Sequence, residues 1–333
     1  MRDRVRRASA ALLAPLLSIA ASAACSQAAD PFPGVKADRP LRVVVTSAAG
    51  SGVDMTTRAV TDRLSARLGR SIVVDNRAGA NGVIGVNVVA GAAADGTTLL
   101  STSNSFVING VLKRFAYDIR QRFVPVAQLS TQYYLALVPA SLPANTFKEL
   151  IDYARQNPGK LTFGSAGTGS VGHLGMEIIK AKTGIDVVHV PYKGAALAGL
   201  DLAAGRIQLV FSNIAGMQMV KAGKAKVVGV MTPKRMSTFP DVPTVAESGI
   251  PGFELSNTFS WYALGKTPSV TLAGLNREVL GVLALPEIRE IYAVTASEVA
   301  AQYKLGELHT MFLGEFDKWD AAVKAANIAP GSL

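Results

Sequence analysis

Short apolar runs of strand length alternate with helix-length stretches along nearly the whole chain, and this alternation restricts the fold more than any other feature. Leu41-Arg-Val-Val-Val45 reads as a buried strand. Met55, Ala59, Val60 and Leu64 then fall near helical spacing, in a helix opened at Asp54 and stopped after Leu68 by Gly69. Ser71–Asp75 is the next strand, Asn81-Gly82 leads into a small-residue helix ending near Ala94, and Asp95-Gly96 turns into the strand Thr97–Ser101. A β-α-β-α-β order implies a parallel sheet with helices on both faces.

The same style resumes beyond Val124. Strands read at Tyr134–Val138, Leu161–Phe163, Val187–Val190, Ile207–Phe211 and Val227–Met231. Helices read between them at Phe147–Gln156, Val171–Thr183, Ala195–Ala203 and Ala215–Ala222. The tail from Pro268 to Ala326 is mostly helical, with segments at Leu272–Leu283, Pro286–Ala293 and Gly306–Ala325, and must pack on something; the first lobe is the natural support. A chain of 333 residues fits two domains of the usual ~100–200 residues. The expected α/β architecture is therefore two lobes with a hinge and a cleft: 30–135 plus 255–333 in lobe 1, and 136–254 in lobe 2.

Residues 1–29 read as a secretory leader rather than as fold. Arg2, Arg4, Arg6 and Arg7 precede an apolar run from Ala8 to Ala24, broken by Pro15 and followed by small residues. The run falls short of the ~20 apolar residues of a spanning helix. Cleavage is expected after Ala28 or Ala29, giving a periplasmic protein. Cys25 is the only cysteine and lies in the leader, so the mature chain would have no disulfide or thiol chemistry; lipidation of Cys25 is the lesser alternative, because Ser22-Ala23-Ala24 lacks the usual preceding Leu. The formal charge of +10 becomes +7 without the leader's four Arg and one Asp. The remaining Lys and Arg are dispersed and not interleaved with aromatics, which argues against nucleic acid and for a mild attraction of anions.

Three polar turns follow strands. The first is Thr46-Ser-Ala-Ala-Gly-Ser-Gly-Val-Asp54, the second Gly164-Ser-Ala-Gly-Thr-Gly-Ser-Val-Gly-His173, and the third Thr102-Ser-Asn-Ser105. Each combines backbone N–H groups with Ser, Thr or Asn at a helix start, a pattern that binds anions through neutral donors. In open α/β sheets ligands collect at the strands' carboxyl ends, where these turns sit. Asp54 is read as structural or water-orienting, because a bare acid would repel a carboxylate. His173 is read as orienting the second turn or donating to the ligand, and His189 as structural.

Rival chemistries fit less well. Gly167-Thr-Gly169-Ser-Val-Gly172 matches a dinucleotide fingerprint, but the ribose-binding acid is missing at the far end of the next strand, Val190-Pro191-Tyr192-Lys193. There is no G-x-S-x-G elbow; Ser165 or Ser170 with His173 is a local pairing, and a serine hydrolase is kept as the alternative. His173, His189 and His309 are isolated and make no metal site, and no cofactor is expected.

Several longer motifs resemble the substrate-binding proteins of tripartite tricarboxylate transporters, the Bug receptors. They are Val73-Val-Asp-Asn-Arg-Ala-Gly-Ala-Asn-Gly82, Asp95-Gly-Thr-Thr-Leu-Leu100, Asn157-Pro-Gly-Lys-Leu161, Phe163-Gly-Ser-Ala-Gly-Thr-Gly-Ser170 with His173-Leu174, His189-Val-Pro-Tyr-Lys-Gly194, Lys221-Ala-Gly-Lys224, and Phe239-Pro-Asp-Val-Pro-Thr-Val-Ala-Glu-Ser-Gly249 with Pro251-Gly-Phe253. The resemblance implies a type II periplasmic-binding (Venus-flytrap) fold and a non-enzymatic role. The implied ligand is a di- or tricarboxylate, an amino acid or an aromatic acid, passed as a monomeric receptor to the membrane permease subunits. A sensor feeding a membrane kinase is a further alternative. The implied ligand contacts are Ser47, Ala49, Gly50, Ser51, Gly52 and Asp54 in lobe 1; Ser103, Asn104 and Asn109 after the third strand; and Ser165, Ala166, Gly167, Thr168, Gly169, Ser170, His173 and Tyr192 in lobe 2. Trp261, and Phe259 with it, are candidate cleft walls, with burial in the core as the equal alternative. The chain departs from the family pattern in its first turn, which lacks the usual Pro-rich start, and at Ser212-Asn213, where many members carry Asp; both departures bear on ligand identity.

Overall fold

The computed structural model describes residues 39–213, 216–294 and 297–329; the expected leader at 1–29, with Cys25, lies outside them. The first half runs β1 (Leu41–Val45), α1 (Gly52–Leu68), β2 (Ile72–Asn76), α2 (Val83–Ala90), β3 (Thr98–Ser103), α3 (Ser105–Val111), α4 (Ile119–Arg122), β4 (Phe123–Tyr133), β5 (Leu135–Pro139), α5 (Phe147–Gln156) and β6 (Leu161–Ser165). It continues through α6 (Val171–Thr183), β7 (Val187–Pro191), α7 (Ala195–Ala203), β8 (Leu209–Ser212), α8 (Met217–Lys221), β9 (Ala225–Val230), β10 (Ser256–Leu264), α9 (Ser269–Leu283), α10 (Pro286–Val294), β11 (Glu298–Val299) and α11 (Leu305–Ala325).

The strands form two sheets, ordered β11-β4-β10-β3-β1-β2 and β7-β6-β8-β5-β9. β1, β2 and β3 are parallel, as the alternation requires. The first sheet is mixed rather than all parallel, however, because β10 returns from the second sheet and inserts antiparallel between β3 and β4. Since β4 and β3 are each antiparallel to β10, β4 runs parallel to β1 and β3. Their carboxyl ends therefore share the edge at which β4 leaves the sheet.

Only Tyr134 separates β4 from β5, so the chain enters the second sheet at that same edge. There β5 pairs antiparallel with β8, and β8 is parallel to β6. The carboxyl ends of β6 and β8 thus lie where β5 begins. The strand directions alone turn the carboxyl edges of both sheets toward one crossing. That crossing is stitched by backbone bonds: Tyr134 N–H donates to Leu255 O (3.2 Å), Met231 N–H to Tyr134 O (2.9 Å), and Leu255 N–H to Met231 O (3.1 Å).

The apolar faces decide which helices cover each sheet. Val43, Val60, Leu64, Trp261, Val279 and Tyr292 are buried together between the first sheet and α1, α9 and α10. On the opposite face Tyr262 packs against Phe106 and Phe312, with ring centroids 4.8 and 5.3 Å apart. Full burial of such side chains stabilises by roughly 1.5–3 kcal/mol each. The helical tail does rest on the first sheet, but α11 also reaches α6 of the second, so Phe312 and Trp319 belong to a core continuous with Phe163 and Leu174.

Gly175 in α6 makes the tightest approach to the crossing: a Cβ there would stand 2.5 Å from Cδ2 of the fully buried Leu255. Gly175→Ala is therefore expected to cost about 1–3 kcal/mol of folding stability, read as a lower midpoint in denaturant unfolding with little change in slope. An unchanged midpoint would mean that α6 and Leu255 are not packed this closely.

Candidate functional site

The first turn opens α1 two residues earlier than the Asp54 start expected from sequence. Ser51 is the N-cap, its Oγ accepting from Asp54 N–H at 3.3 Å. Asp54 answers by accepting from Gly50 N–H at 2.8 Å, so cap and carboxylate close the turn between them. Asn76 at the end of β2 donates from Nδ2 to Asp54 Oδ1 (2.9 Å) and to Ser47 O (3.0 Å), and Arg58 Nε donates to both Asp54 oxygens (3.0 and 3.1 Å). Asp54 is 2% exposed, and its charge is spent inside the loop. Burial pushes its pKa up, but Arg58, the Gly50 amide and Asn76 outweigh this and hold it below the ordinary 3.8.

Gly52 needs its missing side chain, since a Cβ would lie 3.1 Å from the Phe259 ring. Phe259 thus floors the turn. The N–H groups of Ala49, Gly52 and Val53 meet no acceptor among the described residues.

The second turn is built differently. Ser170 caps α6, its Oγ accepting from His173 N–H at 3.4 Å. Gly169 N–H donates to His173 Nδ1 at 3.1 Å, so that nitrogen is the bare acceptor and the ring proton sits on Nε2. Ser165 Oγ accepts from Gly167 N–H (3.1 Å) and lies 2.7 Å from Nε2 of His189, not of His173. The two imidazoles stack with centroids 3.9 Å apart. Burial first, and then nearby positive groups, depress both pKa values to about 4, so both rings are neutral at pH 7. Gly167 has φ +124°, which glycine alone adopts without strain, and packs 3.3 Å (as a Cβ) from Tyr192 O. Tyr192 N–H donates to Ser165 O at 3.0 Å while its hydroxyl bonds Asp201 at 2.7 Å, so this side chain braces the turn. Ala166 and Thr168 are exposed, and their N–H groups, with that of Val171, meet no acceptor among the described residues.

The third turn departs from expectation because β3 runs on through Ser103. Ser103 Oγ sits 3.0 Å from Ser105 Oγ. Asn104 is 5% exposed and accepts from both the N–H and the hydroxyl of Thr258, which ties it to β10. Two expected ligand contacts are corrected. Asn109 is fully buried, donating to Asn81 O (2.9 Å) and accepting from Arg114 (3.1 Å), so it is a strut between loops. Trp261 is 0% exposed within the α1–α9 core and presents no surface to a cleft.

Sequence reasoning missed Gln132 and passed over Asn213 as a mere departure from pattern. Gln132 is 6% exposed, and its Oε1 accepts from Asn213 Nδ2 at 3.0 Å, directly joining the end of β4 to the end of β8. The same oxygen lies 4.0 Å from the position of a Cβ on Gly52. One buried amide therefore links the first turn to the second sheet. Its signal in sequence, a polar residue closing a long strand run at Phe123–Tyr133, is visible only once that run is recognised as a strand.

Two helix N-termini with open N–H groups, set at carboxyl edges that meet at one crossing, can hold an anion by partial charges alone. Among the described residues no group of three or more His, Cys, Asp or Glu could hold a metal, and no helix is long and apolar enough to cross a membrane. Fold and turns together define a type II periplasmic-type solute-binding protein. The chain belongs to the tripartite tricarboxylate transporter receptor family (TctC), whose model matches residues 56–328.

A UPF0065 protein from the tcbD-tcbE intergenic region of Pseudomonas sp. (strain P51) is 33% identical over 312 residues, 92% of this chain and 91% of its own length. The protein BugT of Bordetella pertussis is 30% identical over 277 residues, covering 82% and 84%. Among solved structures, R. palustris Rpa4515 with adipate is 33% identical with a TM-score of 0.75, covering 88% of this chain and 99% of that one. MatC from Rhodopseudomonas palustris with bound malate is 27% identical with a TM-score of 0.72, covering 86% and 99%.

Because the folded pKa of Asp54 lies below its unfolded value, its contribution to stability is fully present above the ordinary 3.8 and is lost as pH falls through the lower folded value. Unfolding midpoints followed from about pH 5 to pH 2 should fall more steeply for the native chain than for Asp54→Asn. Parallel curves would show that the carboxylate does not carry the first turn.

Proposed function

We propose that this protein is an exported receptor that holds a small carboxylate, a di- or tricarboxylate first and an amino acid or aromatic acid next, between the turns at 47–52 and 165–170. The observation that carries this reading is the pair of capped helix starts, Ser51 on α1 and Ser170 on α6, with open amides at sheet edges that share the Tyr134 crossing. The relatives solved with adipate and with malate support the ligand class. Ser47, Ala49, Gly50, Ser51, Gly52, Ser165, Ala166, Gly167, Thr168, Ser170 and Ser103 are the proposed contacts. Asp54, His173, Tyr192 and Asn104 hold the loops in shape, and Gln132 with Asn213 joins the two halves of the site.

In this reading residues 30–135 with 255–333, and 136–254, act as two bodies that close over the ligand by bending near Tyr134 and Leu255. The leader is removed on export to the periplasm, and the monomeric, closed receptor delivers its ligand to the membrane permease subunits of a tripartite transporter. No catalytic step is assigned.

Adipate and malate are the first probes in calorimetric titration and thermal unfolding. Ligand at a hundred times Kd should stabilise by about 2.7 kcal/mol. Ser170→Ala should weaken binding while costing about 1 kcal/mol of stability through the lost cap. If no di- or tricarboxylate, amino acid or aromatic acid stabilises the protein saturably, the reading fails. The 2.7 Å contact of Ser165 with a neutral His189 keeps one rival, an exported serine hydrolase. Ester turnover that vanishes in Ser165→Ala would replace the receptor reading, whereas the 4% exposure of Ser165 and its bond to Gly167 favour a turn-bracing hydroxyl.

A further inference from the structure

Behind the crossing lies a cavity of about 190 Å³ that shares only Asn104 with the proposed site. Its walls come from one face of β4 and β10 along most of their length, from Asn104 and the start of α3, from Glu254, and from α11 with the segment before it. Tyr133, Tyr262 and Tyr303 line it together with the Phe312 ring, and Glu254 and Glu315 are its ionisable carboxylates. No Lys or Arg is among the lining residues, although the sequence as a whole carries +10.

The two carboxylates act on the neighbouring rings. Beyond burial, the Glu254 carboxylate raises the Tyr133 hydroxyl pKa, and Glu315 adds to the rise that burial causes at Tyr262. Glu315 is partly engaged: Trp319 Nε1 donates to one oxygen at 2.7 Å, and Lys318 stands 3.6 Å from the other. Lys318 itself leans over the Trp319 ring at 5.4 Å and is not part of the cavity wall. Glu254 is exposed at the rim. Aromatic rings backed by carboxylates attract a weakly hydrated cation, through ring quadrupoles and charge together. The cavity is too small for a large ligand and has no cationic side chain to receive an anion.

We propose that this cavity is a second ligand site, taking a small organic ammonium ion. Its position gives it leverage on the crossing. Tyr133 and Glu254 are each one residue from the backbone pairs of Tyr134 and Leu255, and α11, which forms the opposite wall, also packs on α6 of the second sheet. Of the lining residues only Glu254 falls in the 136–254 body, so bending at Tyr134 and Leu255 moves that carboxylate against the rest of the wall, and an ammonium ion that prefers one position of Glu254 shifts that equilibrium and is shifted by it. The coupling rests on the receptor reading; the binding does not.

The probe is tetramethylammonium chloride, compared with sodium chloride at equal ionic strength, on the leaderless full chain without carboxylate. Saturable thermal stabilisation by tetramethylammonium but not sodium is expected, and Glu254→Gln with Glu315→Gln should weaken it by about tenfold or more. Absence of a saturable response, or an equal response in the double variant, overturns the site. Tyr133→Phe keeps the ring and should retain binding, whereas Tyr133→Leu should lose it; retention in both or equal loss in both would count against the site. A second titration with adipate, with and without saturating tetramethylammonium, tests the coupling separately. A change in adipate affinity must be matched by the same factor in ammonium affinity. Ammonium binding in a protein that ignores every carboxylate would sink the receptor reading and leave this site standing.

Discussion

The single residue between β4 and β5 is the constraint on which the site depends. A strand that leaves one sheet and enters another after one residue carries its direction with it, and strand direction decides which edge bears carboxyl ends. With β4 parallel to β1 and β3, and β5 antiparallel to β8, both sets of carboxyl ends must face Tyr134. The return strand β10 sits between β3 and β4 and closes the crossing through Leu255 and Met231. Helix N-termini follow parallel strands, so the electropositive ends of α1 and α6 are delivered to the same place by topology alone.

Charge is disposed so that these ends stay electropositive. A free Asp54 beside the first turn would cancel the partial charge of the α1 terminus. Instead its carboxylate accepts from Gly50, Asn76 and Arg58, and the guanidinium balances it locally. In the second turn the imidazoles of His173 and His189 are neutral, stacked and bonded inward to Gly169 and Ser165. What faces outward from both turns is backbone, with hydroxyls beside it. The side chains with the most obvious chemistry in the sequence are the ones consumed in shaping the loops.

That division explains what was legible in advance. Helix α5 reads to the residue because Thr146 caps it, Glu149 reaches back to Asn145, and Phe147, Leu150, Ile151 and Ala154 bury one face. Helix α6, bounded by Ser170 and left-handed Gly184, is equally plain. The long strand β4 was not, because its burial does not alternate strictly and bulges shift its pairing with β10. Missing β4 hid Gln132, and missing the pairing of Trp261 in β10 with Ser101 in β3 left the indole undecided between cleft wall and core, where it is core. Local capping signals survive in sequence; the face a side chain takes across a bulged antiparallel pair is set by distant strands and does not.

The number of open amides also bounds what recognition can rest on. Gly167 and Gly169 spend their N–H groups on Ser165 and His173, so fewer donors remain than the glycine pattern suggests. A hydrogen bond to a charged group contributes about 1.5–3 kcal/mol net, and each helix terminus about 0.3–1 kcal/mol. Three or four such bonds with two termini give a gross attraction of the order of 10 kcal/mol, from which association subtracts at least about 4 kcal/mol. One carboxylate so held leaves at most about −6 kcal/mol, between the millimolar and micromolar ranges. In the proposed receptor, tighter binding would come from the rest of the ligand and from closure that brings the second turn onto it. There the turns would set the class of ligand, while the neutral amides of Gln132 and Asn213, which join the ends of β4 and β8, would favour a ligand whose remaining groups demand no counter-charge.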